Sequence, residues 1–209
     1  MTSMVLNKSA VRMTRREATT RRRREILDAA LACFLKHGVP GTSMEQIRVA
    51  ANASNGSVYH LFNSKDEIAF ALFVEGMREH HDRVLAAVAG KRTARSVIRA
   101  IIATHLTLTV EEPALGLYLT QMGMSDDVGQ IGAEYRAAND SYARELVACL
   151  QPFIDTGEIV SLKPPLYFSL IVGPAAHLGR AWLRGRYTAD LLAATETLAE
   201  AAWKALRVT

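Results

Sequence analysis

The residues best suited to chemistry lie in one short stretch, ASNGSVYHLF at positions 53–62. Four of its residues form an apolar stripe at helical spacing: Ala53, Val58, Leu61 and Phe62. Four others carry hydrogen-bonding side chains: Asn55, Ser57, Tyr59 and His60. A helix that buries the first set presents the second set on its open side. Amide, hydroxyl and imidazole groups arranged in this way are able to contact base edges or phosphates.

The positive charge of the chain is concentrated at its amino-terminal end. The 209 residues carry a formal net charge of +4. Residues 1–24 hold eight basic side chains against one glutamate, a net charge of +7, so the remainder carries −3. A basic arm on a mildly acidic body indicates a polyanionic partner, although a solvated, disordered tail has the same composition.

Helical elements surround the polar stretch. Apolar residues recur at helical spacing from Ile26 to Leu35, and Gly38 predicts the end of that helix. A second helix begins in TSMEQ (42–46), where two capping boxes overlap, and Ser54 caps a third. Two short helices joined by a tight turn and packed on a first helix form the helix-turn-helix plan, in which the second helix of the pair enters the major groove of DNA.

Residues 47–68, IRVAANASNGSVYHLFNSKDEI, resemble the DNA-binding signature of TetR/AcrR-type transcriptional regulators. The matching positions are Ile47, Ala51, Ser54, Gly56, Tyr59, Phe62, Ser64, Lys65 and Glu67. The upstream ILDAALACFLKHGVPGTSMEQI (26–47) is similar to the family's first helix, its glycine stop and its capped second helix. Arg48, Asn52 and Ala53 depart from the family's usual alanine, glycine and valine. We expect Asn52 to hold the turn and Arg48 to be solvated or to reach a phosphate.

The resemblance implies which residues contact DNA. The helix that faces the groove would contribute Ser54, Asn55, Gly56, Ser57, Tyr59 and His60. Ser43 and Lys65 would contact phosphates at helix N-termini, where backbone amides favour anions. The basic arm would follow the backbone or enter the minor groove through Arg21, Arg22, Arg23 and Arg24. A core position for Tyr59, and plain solvation of Asn55 or His60, remain alternatives.

Composition and patterning predict an all-α protein. Apolar residues make up 49% of the chain and charged residues 22%, and no segment alternates with a period of two. We expect a flexible basic arm over residues 1–21, a three-helix helix-turn-helix DNA-binding domain over 22–68, and a larger helical effector-binding and dimerisation domain over 69–209. Helices of the larger domain are predicted at about 64–89, 93–110, 127–156, 165–185 and 188–207, with a short one after Pro113.

The resemblance implies two roles for the larger domain. Its last two helices would pair with those of a second copy, through Gly173, Ala176, Gly179, Trp182 and Leu198. A two-fold dimer places two reading helices on half-sites of a palindrome about 34–36 Å apart. The middle helices would enclose an apolar or amphipathic effector, and the candidates for its contacts are His105, Leu108, Tyr118, Gln121, Met122, Tyr135, Phe153, Tyr167 and His177. Each of these is also acceptable as an ordinary core residue.

A glycine-rich segment between the middle helices suggests a moving part. Residues 116–132 contain four of the thirteen glycines in the chain. Glycine weakens a continuous helix, so this segment is the expected position of an effector-driven switch.

Other classes of function find little support in the sequence. It contains no GxSxG, GxxxxGK[ST], GxGxxG or Glu-x-x-His pattern, so we expect no enzyme activity, catalytic residue or cofactor. His80 and His81 point about 100° apart on a helix, so we expect solvated side chains and no metal site. Cys33 and Cys149 form no CxxC pair and no apolar run is long enough to cross a membrane, which predicts a cytoplasmic protein. An architectural DNA-binding protein without an effector is the remaining alternative, although it leaves the large domain without a task.

Overall fold

The computed structural model describes residues 14–122 and 132–208, with the backbone alone over 132–139. Within these residues the chain forms α-helices and one 3₁₀ turn, and its extended pairing is limited to an antiparallel bridge between Ile159 and Arg207. The prediction of an all-α fold is confirmed. Contacts divide the chain into two units, Met1–Ile68 and Ala69–Thr209.

Three helices form most of the first unit: α1 (Arg15–Gly41), α2 (Met44–Ala50) and α3 (Asn55–Leu61). Thr14 caps α1 in a capping box with Glu17, so residues 15–21, which we expected to belong to a flexible arm, are helical. Gly38 interrupts α1 with a φ of 71°, a left-handed value that favours glycine. The buried side chains include Ile26, Leu27, Ala30, Phe34, Ile47, Ala53, Val58 and Phe62.

The turn between α2 and α3 depends on Asn52 and Arg48. Asn52 has a φ of 46°, a left-handed conformation that asparagine tolerates. Arg48 forms an ion pair with Glu45 at 2.6 Å and donates a hydrogen bond to the carbonyl oxygen of Ala53 at 3.0 Å. Arg48 is therefore half-buried and not simply solvated, because its guanidinium ties α2 to the backbone of the turn, while a contact with phosphate stays a prediction.

Helix α5 is at the centre of the second unit. The helices are α4 (Lys65–Val88, which begins in the first unit), α5 (Ala94–Glu111), α6 (Pro113–Met122), α7 (Gly132–Asp155), α8 (Pro164–Leu183) and α9 (Thr195–Leu206), with a 3₁₀ turn at Leu192–Ala194. Nine residues of α5 are buried, and the helix packs mainly against α8 and α9. Hydrogen-bonded ion pairs from Arg95 to Glu200 and from Arg99 to Glu196, each 2.7 Å, link α5 to α9 at the surface.

The last helix begins later than predicted. We expected a helix from residue 188, but α9 begins at Thr195. Gly185 takes a left-handed φ of 67° just after the end of α8, and the side chain of Asp190 accepts a hydrogen bond from the amide of Leu192 at 2.9 Å. These local bonds favour a turn over a helix in this region.

The glycine-rich segment is only partly within the described residues. Gly116 lies in α6 and Gly132 is the first residue of α7. Gly123 and Gly129 lie outside the described residues. The position of an effector-driven switch in this segment stays a prediction.

Candidate functional site

Helix α3 presents most of its polar residues on an open surface. Ser54 caps the helix by accepting a hydrogen bond from the amide of Ser57 at 3.2 Å, and Ser57 itself is half-buried. Val58 and Phe62 are 1% and 2% exposed, so they fix the helix to the core. The exposed residues are Asn55, Gly56, Tyr59 and His60. Because the side chain of Tyr59 is 56% exposed, a core role for this tyrosine is excluded.

Nothing within the described chain requires a glycine at position 56. Gly56 is not among the residues with positive φ, and a Cβ built there would meet no atom of the described residues within 4 Å. Glycine in a helix costs about 0.5–1 kcal/mol relative to alanine. Gly56 lies one helical turn before Tyr59 and His60 on the same face of α3. The absence of a side chain at this position therefore leaves a strip of bare backbone that another molecule can approach closely.

Ser43 and Lys65 already have partners inside the first unit. The Ser43 hydroxyl accepts from the amide of Gln46 at 3.2 Å, and the Ser43 amide donates to Oε1 of Gln46 at 2.7 Å. Nζ of Lys65 donates to the carbonyl oxygen of Pro40 at 2.8 Å. Both residues thus help to fix the ends of the helices that flank α3.

The four arginines of α1 that we expect to contact DNA, Arg21 to Arg24, interact with neighbours on the protein. Arg21 and Arg22 lie 3.5 and 2.8 Å from the carboxylate of Glu25, and Arg24 lies 3.1 Å from Asp28. The guanidinium of Arg23 sits over the ring of Phe62, 5.1 Å from its centroid. Arg15 and Arg16, which we assigned only to the flexible arm, are exposed in the first turn of α1 and add two cations to this surface.

The second unit contains a cavity of about 380 Å³ between α4, α5, α6 and α8. Its apolar lining includes Met77, Leu108, Leu115, Leu119, Ala176 and Leu183. Its polar lining consists of Glu79, His80, His105, Thr109, Glu112, Thr120 and Arg180. A cavity of about 150 Å³ holds a benzene molecule, so this one holds on the order of fifteen carbon atoms. Its size and mixed lining are those of a small-molecule site.

Two of the nine residues predicted to contact an effector line this cavity, His105 and Leu108. Tyr118 and Tyr167 are buried elsewhere, where their hydroxyls donate to the carbonyl oxygens of Ala69 and Val160, each at 2.8 Å. Phe153 packs on the core of the unit. Gln121 and His177 are exposed and Met122 is half-buried at the end of α6, whereas the side chain of Tyr135 lies outside the described residues.

Three histidines lie in the interior of the second unit. Nε2 of His80 and Nδ1 of His105 are 3.1 Å apart, and the His81 ring stacks on Tyr142 with 3.6 Å between centroids. Burial is the main cause that lowers the pKa of His105 to about 3 and the pKa values of His80 and His81 to about 4. All three are therefore neutral at pH 7. The expectation that His80 and His81 are solvated is wrong, because the two side chains leave α4 on different sides and pack against His105 and Tyr142.

The residues predicted for a dimer interface point in different directions. Ala176 and Gly179 line the cavity, and Gly179 packs against Thr109, with 3.4 Å between a Cβ built there and Oγ1 of Thr109. Trp182 and Leu198 are partly buried against the core of the unit. Gly173 is half-buried, and a Cβ built there would meet its nearest neighbour, the carbonyl oxygen of Phe168, only at 3.8 Å. Gly173 therefore has room for a Cβ, and Leu166 near the start of the same helix is 47% exposed.

Within residues 14–122 and 140–208 no three histidine, cysteine, aspartate or glutamate side chains come together as a candidate metal site. No helix in the described part of the chain has the length and apolar character needed to span a membrane.

Known proteins resemble the chain in sequence and in fold. The family model described as bacterial regulatory proteins, tetR family, matches residues 26–72. The fatty acid metabolism regulator protein of Bacillus subtilis is 24% identical over 177 residues, which are 84% of this chain and 91% of that protein. An HTH-type transcriptional repressor of Mycobacterium tuberculosis is 37% identical over 82 residues, 39% of this chain and 41% of that protein. The crystal structure of the regulator FadR from Bacillus subtilis in complex with stearoyl-CoA has a TM-score of 0.76 at 22% identity, covering 86% of this chain and 96% of that one.

The family match agrees with the geometry of the first unit. Residues 26–72 run from the buried part of α1 through the turn at Asn52 and the whole of α3. The same segment contains the exposed polar face and the bare backbone at Gly56. The match of residues 26–72 and the relatives in sequence and fold support a TetR-type regulator.

Proposed function

We propose that the protein is a repressor that binds a palindromic operator as a homodimer in the cytoplasm and is released when a small amphipathic molecule fills the cavity of the second unit. The observation that carries the DNA-binding part is the open face of α3, where Asn55, Tyr59 and His60 surround the bare backbone of Gly56. A helix with this surface fits the major groove, and its polar side chains reach base edges.

The exposed face of α3 is tested by measuring how two histidine variants bind DNA selected for its sequence. His60→Ala should weaken binding to the selected operator by about tenfold, a loss of about 1.4 kcal/mol. His37→Ala, which removes an exposed histidine at the end of α1, is the matched control and should bind as the parent protein does. Footprinting should show one protected palindrome, whereas equal binding to unrelated duplexes indicates an architectural protein and rejects the proposal.

Helix α8 supports the dimer. Leu166 is 47% exposed, and the backbone of Gly173 lies open enough for close approach by another helix. Gly173→Glu fits the single chain, because a Cβ there has room, but it places a charge in the proposed interface. We expect this variant to sediment as a folded monomer that loses operator affinity. A stable dimer of the variant would place the interface elsewhere.

The effector site rests on the cavity. The related regulator FadR from Bacillus subtilis was crystallised with stearoyl-CoA, a long-chain acyl thioester, which supports a compound with an apolar body for this chain. Ala176→Leu adds volume to the cavity wall and should leave operator binding intact while abolishing release by the effector. To identify the effector, complexes of the protein with its operator are exposed to a panel of acids, alcohols, thioesters and sterols, and release of the operator is measured. If no compound in the panel releases the operator, effector control is rejected.

A further inference from the structure

Arg180 brings a positive charge to the wall of the cavity. Arg180 lies in the last turn of α8, is half-buried and lines the cavity with His105 and Thr109. Within the described part of the chain no carboxylate forms an ion pair with it. The second positive group near the cavity, Arg83, is already paired with Glu111 and with Glu112, the latter at 3.3 Å.

The other polar groups of the lining form no ion pair with Arg180 among the described residues. Glu112 shares Arg83 with Glu111, and Glu79 is exposed to solvent. His80 and His105 are neutral at pH 7 and share one hydrogen bond. A guanidinium beside neutral imidazoles and leucine side chains is a poor arrangement for an empty cavity. It becomes favourable when an anion occupies the site, because a charge-assisted bond is strong where water is scarce.

We propose that the effector is an amphipathic carboxylate whose head pairs with Arg180 and whose apolar body lies along Met77, Leu108, Leu115, Leu119 and Leu183. This inference rests on the proposed function of the cavity as the effector site. The guanidinium presents two parallel N–H groups that match a carboxylate. The cavity volume of about 380 Å³ limits the body to on the order of fifteen carbon atoms.

The histidine pair supplies a second hydrogen bond to the head. When His80 donates from Nε2 to Nδ1 of His105, the Nε2 of His105 carries a proton and is able to donate to a carboxylate. In this tautomer Nδ1 of His80, which is buried with no partner among the described residues, is a bare acceptor and not an unsatisfied N–H. An anionic head therefore selects one of the two tautomers and orders the contact between α4 and α5.

Matched ligands separate the role of charge from that of the apolar body. Straight-chain carboxylates of 8 to 18 carbons, primary alcohols of the same lengths and the corresponding coenzyme A thioesters are titrated into the full-length protein by calorimetry. Carboxylates should bind ten- to hundredfold more tightly than alcohols of equal length. Affinity should rise with chain length to about fifteen carbons and then stop rising. Equal affinity of carboxylate and alcohol would overturn the proposal without the use of any variant.

Variants at the end of α8 assign the effect to one arginine. Arg180→Gln should remove the preference for carboxylate over alcohol, and Arg180→Lys should retain part of it. Arg184→Gln removes an exposed cation one turn further on, outside the cavity, and should bind like the parent. If Arg180→Gln weakens acid and alcohol equally, Arg180 has a structural role only. Release of the operator by thioesters alone overturns the carboxylate inference and leaves the proposed function standing, whereas release by no compound rejects the proposed function itself.

Discussion

Gly56 provides a test in which the stability of the protein and its affinity for DNA should change in opposite directions. A methyl group added by Gly56→Ala enters open space, since no atom of the described residues lies within 4 Å of it. The free protein should therefore gain about 0.5 kcal/mol, the lower end of the usual range because Gly56 lies in the first turn of α3. For a chain of this length, that gain raises Tm by roughly 1–2 °C.

The same methyl group should interfere with an operator. Extra volume between two closely packed surfaces costs about 1–3 kcal/mol, which is roughly a 5- to 150-fold loss of affinity. No charge is removed, so the dependence of affinity on salt concentration should keep its slope. Fluorescence anisotropy with labelled operator at several salt concentrations measures both quantities, and differential scanning calorimetry measures Tm.

If Gly56→Ala binds the operator as tightly as the parent, α3 does not approach DNA through this backbone. If the variant melts at a lower temperature, the glycine has a role within the fold that the space around it does not reveal. A larger step, Gly56→Val, should reduce DNA affinity further.

Three further outcomes follow from contacts inside the two units. Arg48→Ala should lower the free energy of unfolding by about 1 kcal/mol, mainly through the lost bond to Ala53, and an unchanged urea midpoint would contradict this. Tyr118→Phe should cost about as much, because the hydroxyl bonds the carbonyl oxygen of Ala69 in the interior, whereas Tyr187→Phe serves as the half-buried control. The free energy of unfolding should fall as pH drops from about 6.5 to about 4, because histidines of the unfolded chain take up protons that the buried ones, with their lowered pKa values, do not accept. His81→Phe keeps an aromatic ring on Tyr142 and should reduce that fall. Urea titrations across the pH range measure both effects.

The elements near α3 are predictable because their signals are local. Helix caps, a glycine stop and a short apolar stripe act within four or five residues, so the sequence alone places Ser54, Val58 and Phe62 correctly. Even the ambiguity between two overlapping capping boxes has a local answer. Ser43 is the cap of α2, while the Thr42 hydroxyl donates back to the carbonyl oxygen of Gly38 at 2.7 Å.

The second unit is less predictable because the spacing of apolar residues in a helix does not show which other helix packs against it. An alanine or glycine on α8 suits close packing against either a second copy or an internal cavity, and the sequence does not distinguish the two faces. His80 is similar, since its partner His105 is 25 residues away on another helix. Arg180 was missed for the same reason: an arginine near the end of a helix is usually solvated, and only the fold brings it beside a cavity.

The acidic partners of the α1 arginines have a consequence for selectivity. Glu25 and Asp28 act as internal counterions, so binding of a paired arginine to a phosphate should release fewer of the cations that surround the DNA. To bind a phosphate, such an arginine must first give up its carboxylate partner. The protein should thus adhere to arbitrary DNA less avidly than its basic end suggests, leaving a larger share of the discrimination between sites to groups that read bases.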